Sequence, residues 1–139
     1  MLGDMTPPTT PLSNCISALV SLWTEERWVA FAAEARMAVL GVIAEGIPDD
    51  VEGRYVSQGE VGLARTSAPD GRLLVLTCAD PDVFRSRYPQ HPFNAHLHAL
   101  ELFRVALADE TCAGVLVNSA ASPHSLPLSR TQIRELLAM

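Results

Sequence analysis

Lysine is missing from this sequence: all ten basic residues are arginines, scattered from Arg27 to Arg134. Sixteen acidic residues outnumber them, for a formal net charge of −6. Binding to a polyanion draws on a concentrated basic face that neutralises phosphates. The closest basic pair here is Arg85 and Arg87, so no nucleic-acid partner is expected. The arginine skew itself reads as the codon usage of a GC-rich genome. Cysteine is also scarce. Cys15, Cys78 and Cys112 are odd in number and widely spaced, which builds neither a disulfide framework nor a zinc knuckle. Cys78 and Cys112 lie in or beside apolar runs, where a free thiol behaves as a small hydrophobe. A reducing, cytoplasmic location is expected.

Phosphate-cradling glycine loops, dinucleotide fingerprints and nucleophile elbows do not occur either. Residues Met5 to Thr24 carry no charge, a stretch as long as a membrane span. Pro7, Pro8, Pro11, Ser13 and Asn14 interrupt it, no basic region precedes it, and no small-residue cleavage site follows. Cys15 precedes the greasy part and so does not read as a lipidation site. Neither a membrane partner nor a cofactor is expected.

What is present is a chain of 139 residues, 48 % hydrophobic and 19 % charged. That length suits one domain, and such a domain buries roughly 70 % of its unfolded-chain surface. Residues 1–11 read as a flexible Pro/Thr tail and 12–139 as a single domain. Ser13 or Asn14 caps a first helix with Ile16, Leu19, Val20 and Trp23 on one face. Thr24 caps a second, with Glu25 and Glu26 complementing its dipole and Trp28, Phe31, Ala32 and Ala35 inward. Both tryptophans read first as core anchors and second as partner-docking residues.

Val39 to Ile43 reads as a buried strand, although it could extend the second helix. Glu45 to Gly59 reads as an acidic loop; its Glu45, Asp49, Asp50 and Glu52 lack the spacing of a calcium loop. Val61–Arg65 and Leu73–Thr77 are two strands joined by Pro69-Asp70-Gly71, and the second belongs in the sheet centre. Asp80-Pro81 starts a helix that ends at Tyr88-Pro89. Asn94 caps a longer helix through about Ala108. Ala113 to Asn118 reads as another short strand, Ser119 to Leu126 as a small-residue loop. Ser129 and Gln132 form a capping box, with Leu128 against Ile133 as a hydrophobic staple. The expected fold is α/β: a central mixed β-sheet flanked by helices, with an N-terminal helical pair and a C-terminal capped helix.

Three of these segments carry a resemblance. Leu73-Leu-Val-Leu-Thr77 followed by Asp80-Pro81 and Phe84, the strand Ala113-Gly-Val-Leu-Val-Asn118, and the closing element Leu126 to Leu137 together resemble the SseB protein N-terminal domain family. The resemblance extends over nearly the whole chain. Where that family has proline and glycine after the asparagine, this chain has Ser119 and Ala120. The resemblance implies an α/β fold of poorly defined biochemistry and no catalytic signature. The family name reflects a link to serine sensitivity, and the family is sometimes filed under type III secretion; no residue here points to secretion.

Several groups of residues bear on chemistry. His91, His96, His98 and Glu101 are of metal-ligating type, but on a helix His96 and His98 would point about 200° apart. Asp80 and Asp82 fit first-turn capping better than acid/base work. A Ser119 or Ser122, His124 and Asp80 triad lacks its motif. Cys78, near a helix start, reads as inert. If Leu73–Thr77 and Val115–Asn118 are neighbouring parallel strands, then Thr77, Asp80, Asn118 and Ser119 share a rim at their carboxyl ends. Open α/β sheets bind ligands at such rims; plain loop and cap roles also account for these residues.

The leading expectation is a non-catalytic protein-interaction or regulatory domain, its partner another protein or a second copy, with no evident small-molecule ligand. The alternative is a small hydrolase or metal-dependent enzyme using the histidine region or the rim.

Overall fold

A computed structural model describes residues 9–45, 54–55 and 62–139. Five helices and seven strands lie among these residues: α1 (Pro11–Ser21), α2 (Glu25–Ala35), β1 (Val39–Val42), β2 (Arg54–Tyr55), β3 (Arg65–Ser67), β4 (Leu73–Cys78), α3 (Pro81–Arg87), β5 (Ala95–His98), α4 (Ala99–Ala108), β6 (Cys112–Asn118), β7 (Ser125–Ser129) and α5 (Arg130–Ala138). The strands form one mixed sheet in the order β2-β5-β1-β4-β6-β7, with β3 paired to the first half of β4. Residues 1–8 of the expected 1–11 tail, and most of the acidic stretch, lie outside the described residues; Pro11, expected in the tail, is the first residue of α1. Within that stretch Arg54–Tyr55 is a strand, parallel to β5.

The sheet centre is where the sequence places it. β4 and β6 are parallel neighbours, with Val75 opposite Val115 and Thr77 opposite Val117. Register then fixes the two faces, because side chains alternate along each strand. Leu40, Val42, Val75, Ala95, Leu97, Val115, Val117, Leu126 and Leu128 point to one face and are buried. They join Ile16 and Leu19 of α1, Phe31 of α2, Phe103 of α4, and Ile133 and Leu136 of α5 in a single core. The other face carries Gly41, Leu74, Leu76, Cys78, Leu116 and Pro127. Among the described residues, the short helix α3 and the segment after it approach that face, at Gly41. A Cβ on Gly41 would collide with the Cys78 sulfur and press on Pro81, so glycine is what lets α3 sit so close.

Local chemistry explains the element ends. Thr24 Oγ1 accepts from the Arg27 N–H at 3.1 Å and opens α2. The box at α5 is complete: Ser129 Oγ accepts from Gln132 N, and Gln132 Oε1 accepts from Ser129 N at 2.8 Å. Asp70-Gly71 makes the turn between β3 and β4, with the Ala68 N–H on the Arg72 carbonyl.

Four sequence expectations are corrected. First, α1 starts at Pro11 after Thr10, so Ser13 and Asn14 lie inside the helix rather than at its cap. Second, Val20 and Trp23 are exposed, so the buried face of α1 is Leu12, Ile16 and Leu19. Third, the strand expected at Val61–Arg65 is displaced: residues 62–64 bridge back to Ala44, and β3 begins only at Arg65. Fourth, Asn94 caps no helix. Its amide pairs with the backbone of Ala44, accepting from the N–H at 2.8 Å and donating to the carbonyl at 3.1 Å. The chain beyond it is strand β5, and α4 begins only at Ala99.

Arginine turns out to be structural. Arg27 donates to the carbonyls of Ala18 and Leu22, Arg36 to Leu136, and Arg87 to Ala120 and Ala121. Arg130 reaches four carbonyls. A planar fork of donors satisfies several carbonyls at once, which a lysine ammonium on a flexible stem does poorly. No helix among the described residues is long and apolar enough to cross a membrane.

Candidate functional site

Two places gather the candidate residues: the rim at the ends of β4 and β6, and the corner between α1 and α2. At the rim, the parallel pairing puts Cys78 opposite Asn118, so Thr77, Asp80, Asn118 and Ser119 do come together. Their polar groups are directed inward. Buried Thr77 donates its hydroxyl to the Leu116 carbonyl at 3.0 Å. Asn118 Nδ2 donates to the Thr77 carbonyl at 3.2 Å. Ser119 Oγ accepts from the N–H groups of Ala121 and Ser122 at 3.0 and 3.3 Å.

Asp80 departs from expectation. It precedes α3 as its N-cap residue, yet its side chain makes no capping bond there. Its φ is +49°, a left-handed conformation that aspartate tolerates better than most residues. From that position Asp80 Oδ2 accepts from the Ser13 N–H at 2.8 Å, across 67 residues of sequence. Ser13 is the third residue of α1, and Thr10 makes no side-chain cap bond. Asp80 therefore caps α1, where a carboxylate also complements the positive end of the helix dipole. The buried Ser13 hydroxyl completes the latch by accepting from Ala120 N at 2.7 Å. The rim fastens the N-terminal helix onto the strand ends.

Beside the latch, Ser17 Oγ lies 3.0 Å from Ser122 Oγ, which lies 3.1 Å from His124 Nδ1. Asp80 is bonded to Ser13 rather than to this histidine, so the imagined Ser-His-Asp order is not assembled by these bonds. The hydroxyl chain joins α1 to the loop after β6.

The histidine region is rearranged by the presence of β5. On a strand, His96 and His98 share a face rather than splaying apart. His96 is half-buried, and its Nε2 lies 2.7 Å from Arg85 Nη2. Burial, and then the Arg85 charge, hold its pKa below the ordinary 6.5, so the neutral ring accepts from the guanidinium. His91 Nδ1 accepts from the Phe93 N–H at 3.0 Å. Phe84 packs edge-on to Phe93 at 5.3 Å. Among the described residues, no group of three or more His, Cys, Asp or Glu side chains converges as a metal site. Burial also pushes the Cys78 thiol up to about 12. At physiological pH it stays protonated and unreactive.

The corner is different. Trp28 is buried, but Trp23 is 48 % exposed, with Leu22 at 60 % and Val20 at 44 %. Trp23 stacks on Trp28 with centroids 5.4 Å apart, and Trp28 in turn on Phe31 at 5.6 Å. This ladder of rings runs from solvent into the core. Glu25 and Glu26 are exposed next to it. The Arg27 guanidinium is turned onto the carbonyls that end α1, at 2.7 and 3.2 Å.

No family model, curated protein or solved structure matches this chain. Its functional reading rests on its own geometry. The α1 cap and the arginine braces had no local signal in the sequence. The exposure of Trp23 did have one, since it falls in the break between the two helices just before the Thr24 cap.

Proposed function

We propose that this chain is a non-catalytic protein-interaction module of a reducing, cytoplasmic compartment, and that it engages its partner through the α1–α2 corner centred on Trp23. The exposure of Trp23 carries the reading. A ring 48 % exposed and fixed by stacking on a buried neighbour is an anchor set before binding, so association costs it little rotamer entropy. Tryptophan is enriched among the residues that dominate interface energies. Leu22 and Val20 extend the apolar surface, Glu25 and Glu26 border it, and Arg27 is withdrawn into the backbone. The partner surface that fits is an apolar pocket with a basic rim.

The rim supports the same reading, because Thr77, Asp80, Asn118 and Ser119 spend their side chains on bonds within the fold. The three free cysteines support the reducing compartment. Kinship with the SseB N-terminal domain belongs to the same proposal. It is supported by the buried β4 leading into α3, by β6 ending at Asn118, and by the capped α5 after the leucine-bearing β7.

Parallel affinity captures from native extract, with the wild-type chain and with Trp23→Ala, test the proposal. Loss of the stack costs about 0.5–1.5 kcal/mol, so the variant stays folded, which thermal unfolding verifies. An anchor of this kind contributes about 2 kcal/mol or more to binding, roughly thirtyfold in affinity. A protein held by the wild type and largely lost from Trp23→Ala supports the module. Equal retention by both, or a retained small molecule with no protein, refutes it.

A further inference from the structure

On the sheet face turned away from α1, α2, α4 and α5 lies a hollow of about 520 Å³. Its origin can be read from the register. Thr66 pairs with Leu74, Leu74 with Gly114, and Gly114 with Ser129, so the middle of this row lacks a side chain. A Cβ at Gly114 would collide with the Leu128 carbonyl, and its φ of +154° disfavours any other residue. In the next row, Leu116 stands opposite Pro127 and forms a wall. Ala68 and Pro69, from the β3–β4 turn, close the far side. Pro81 of α3 and Phe93 pack on this face at Gly41, in β1, away from the hollow's lining residues.

We propose that this hollow binds an uncharged, mainly apolar small molecule. Its volume falls within the roughly 300–1,000 Å³ of small-molecule pockets. Its apolar walls are Leu74, Leu116, Pro127, Ala68 and Pro69, with Thr66 and Ser129 hydroxyls at the margin to orient a ligand. Among the described residues Arg72 is the one charged side chain lining it, and Arg72 Nε donates to the Asp70 carboxylate at 2.7 Å. The site is therefore close to neutral in a chain of net charge −6, which disfavours anions, and it offers a cation no free carboxylate.

A peptide strand added at the β7 edge is a poor alternative occupant. The Ser119 N–H bonds to the His124 carbonyl, and this places Pro127 at a position whose nitrogen faces the outer edge without a hydrogen to donate. A second hollow of about 520 Å³ lies by Gly71, Glu110 and Thr111, but both arginines in its wall are committed, Arg72 to Asp70 and Arg130 to carbonyls, and its apolar lining is thinner.

Titration with the uncharged fluorophore N-phenyl-1-naphthylamine tests the site. The wild type gives saturable one-to-one binding. Leu116→Trp, which fills the hollow, and Pro127→Glu, which puts a charge on its exposed wall, each weaken binding at least tenfold. Trp23→Ala leaves binding unchanged, separating this site from the docking corner. Should Leu116→Trp fail to fold, Pro127→Glu decides. Absence of saturable binding to the wild type, unchanged binding in the groove variants, loss confined to Trp23→Ala, or a preference for the sulfonated anionic analogue would each overturn the proposal.

Discussion

Replacing Arg130 by methionine removes a clamp between three elements. Arg130 is the first residue of α5, yet its guanidinium reaches the end of α4 and the start of β6. Nη1 donates to the carbonyls of Ala106, Asp109 and Cys112 at 3.1, 3.0 and 2.9 Å, and Nη2 to Leu107 at 2.8 Å. Nη1 has two hydrogens for three acceptors, so the four contacts amount to about three full hydrogen bonds. Bonds from a charged donor contribute about 1.5–3 kcal/mol each. The bonds are only part-buried and the carbonyls ending α4 regain water in the variant, which pulls each bond down to the ordinary net contribution of about 1 kcal/mol. A cation at a helix C-terminus adds about 0.3–1 kcal/mol.

The expected loss is therefore about 3–4 kcal/mol. A typical domain has about 5–15 kcal/mol of stability, so the variant folds but is marginal. Methionine keeps the apolar stem, which confines the comparison to the guanidinium. Arg130→Lys, with the charge but without the fork, should lose about half as much. Urea unfolding followed by circular dichroism measures this as a lower midpoint at constant slope. Exposed Arg134→Met is the control, expected within about 0.5 kcal/mol of wild type. If Arg130→Met matched that control, the clamp would have no energetic role and the reasoning would fail.

Three further outcomes follow from the same contacts. Asp80→Ala removes the acceptor for Ser13 N and should cost about 1–2 kcal/mol, with faster amide exchange at residues 12–14; Asp80→Asn, which keeps an acceptor and tolerates the left-handed backbone, should lose less, and equal loss would contradict the cap. With an aromatic disulfide reagent at pH near 8, the native chain should react at Cys15 alone and slowly. Burial, then Glu34 and Asp80, raise that thiol, while Cys78 and Cys112 are buried; prompt reaction of two thiols would contradict the packing.

His96 has a lower pKa folded than unfolded, so between the two values the unfolded chain binds the extra proton. Stability is therefore unaffected by this group above the ordinary 6.5 and falls as pH drops below it. His96→Gln should flatten that part of the unfolding profile relative to wild type; superimposable slopes would show that the Arg85 contact has no such effect.

Elements whose signals are local were legible from sequence. The Thr24 cap, the Ser129–Gln132 box and the uninterrupted aliphatic run of β4 each depend on neighbours a few residues away, and each is where periodicity and capping chemistry put it. β5 was not legible. Four residues, Ala-His-Leu-His, are too few to separate a period of 2 from the start of the 3.6-residue pattern that α4 continues. Asn94 looks like a cap because its side chain mimics a peptide group, and here the peptide it pairs with is Ala44, fifty residues away.

Asp80 misleads in a similar manner. Asp-Pro is a sound helix start, but the carboxylate serves a helix 67 residues earlier, and no window of sequence contains that geometry. The gathering of Thr77, Asp80, Asn118 and Ser119 followed from parallel strands; the inward commitment of their side chains did not. The arginines, read as codon usage, carry backbone carbonyls that sequence gives no means of pairing.

Hydrogen exchange on the chain, free and bound to the protein it captures, addresses the docking corner directly. The account predicts slowed amides over residues 20–29, around Trp23, with residues 77–80 and 118–124 unchanged. Protection confined to those strand-end residues, with the corner exchanging as in the free chain, would contradict it.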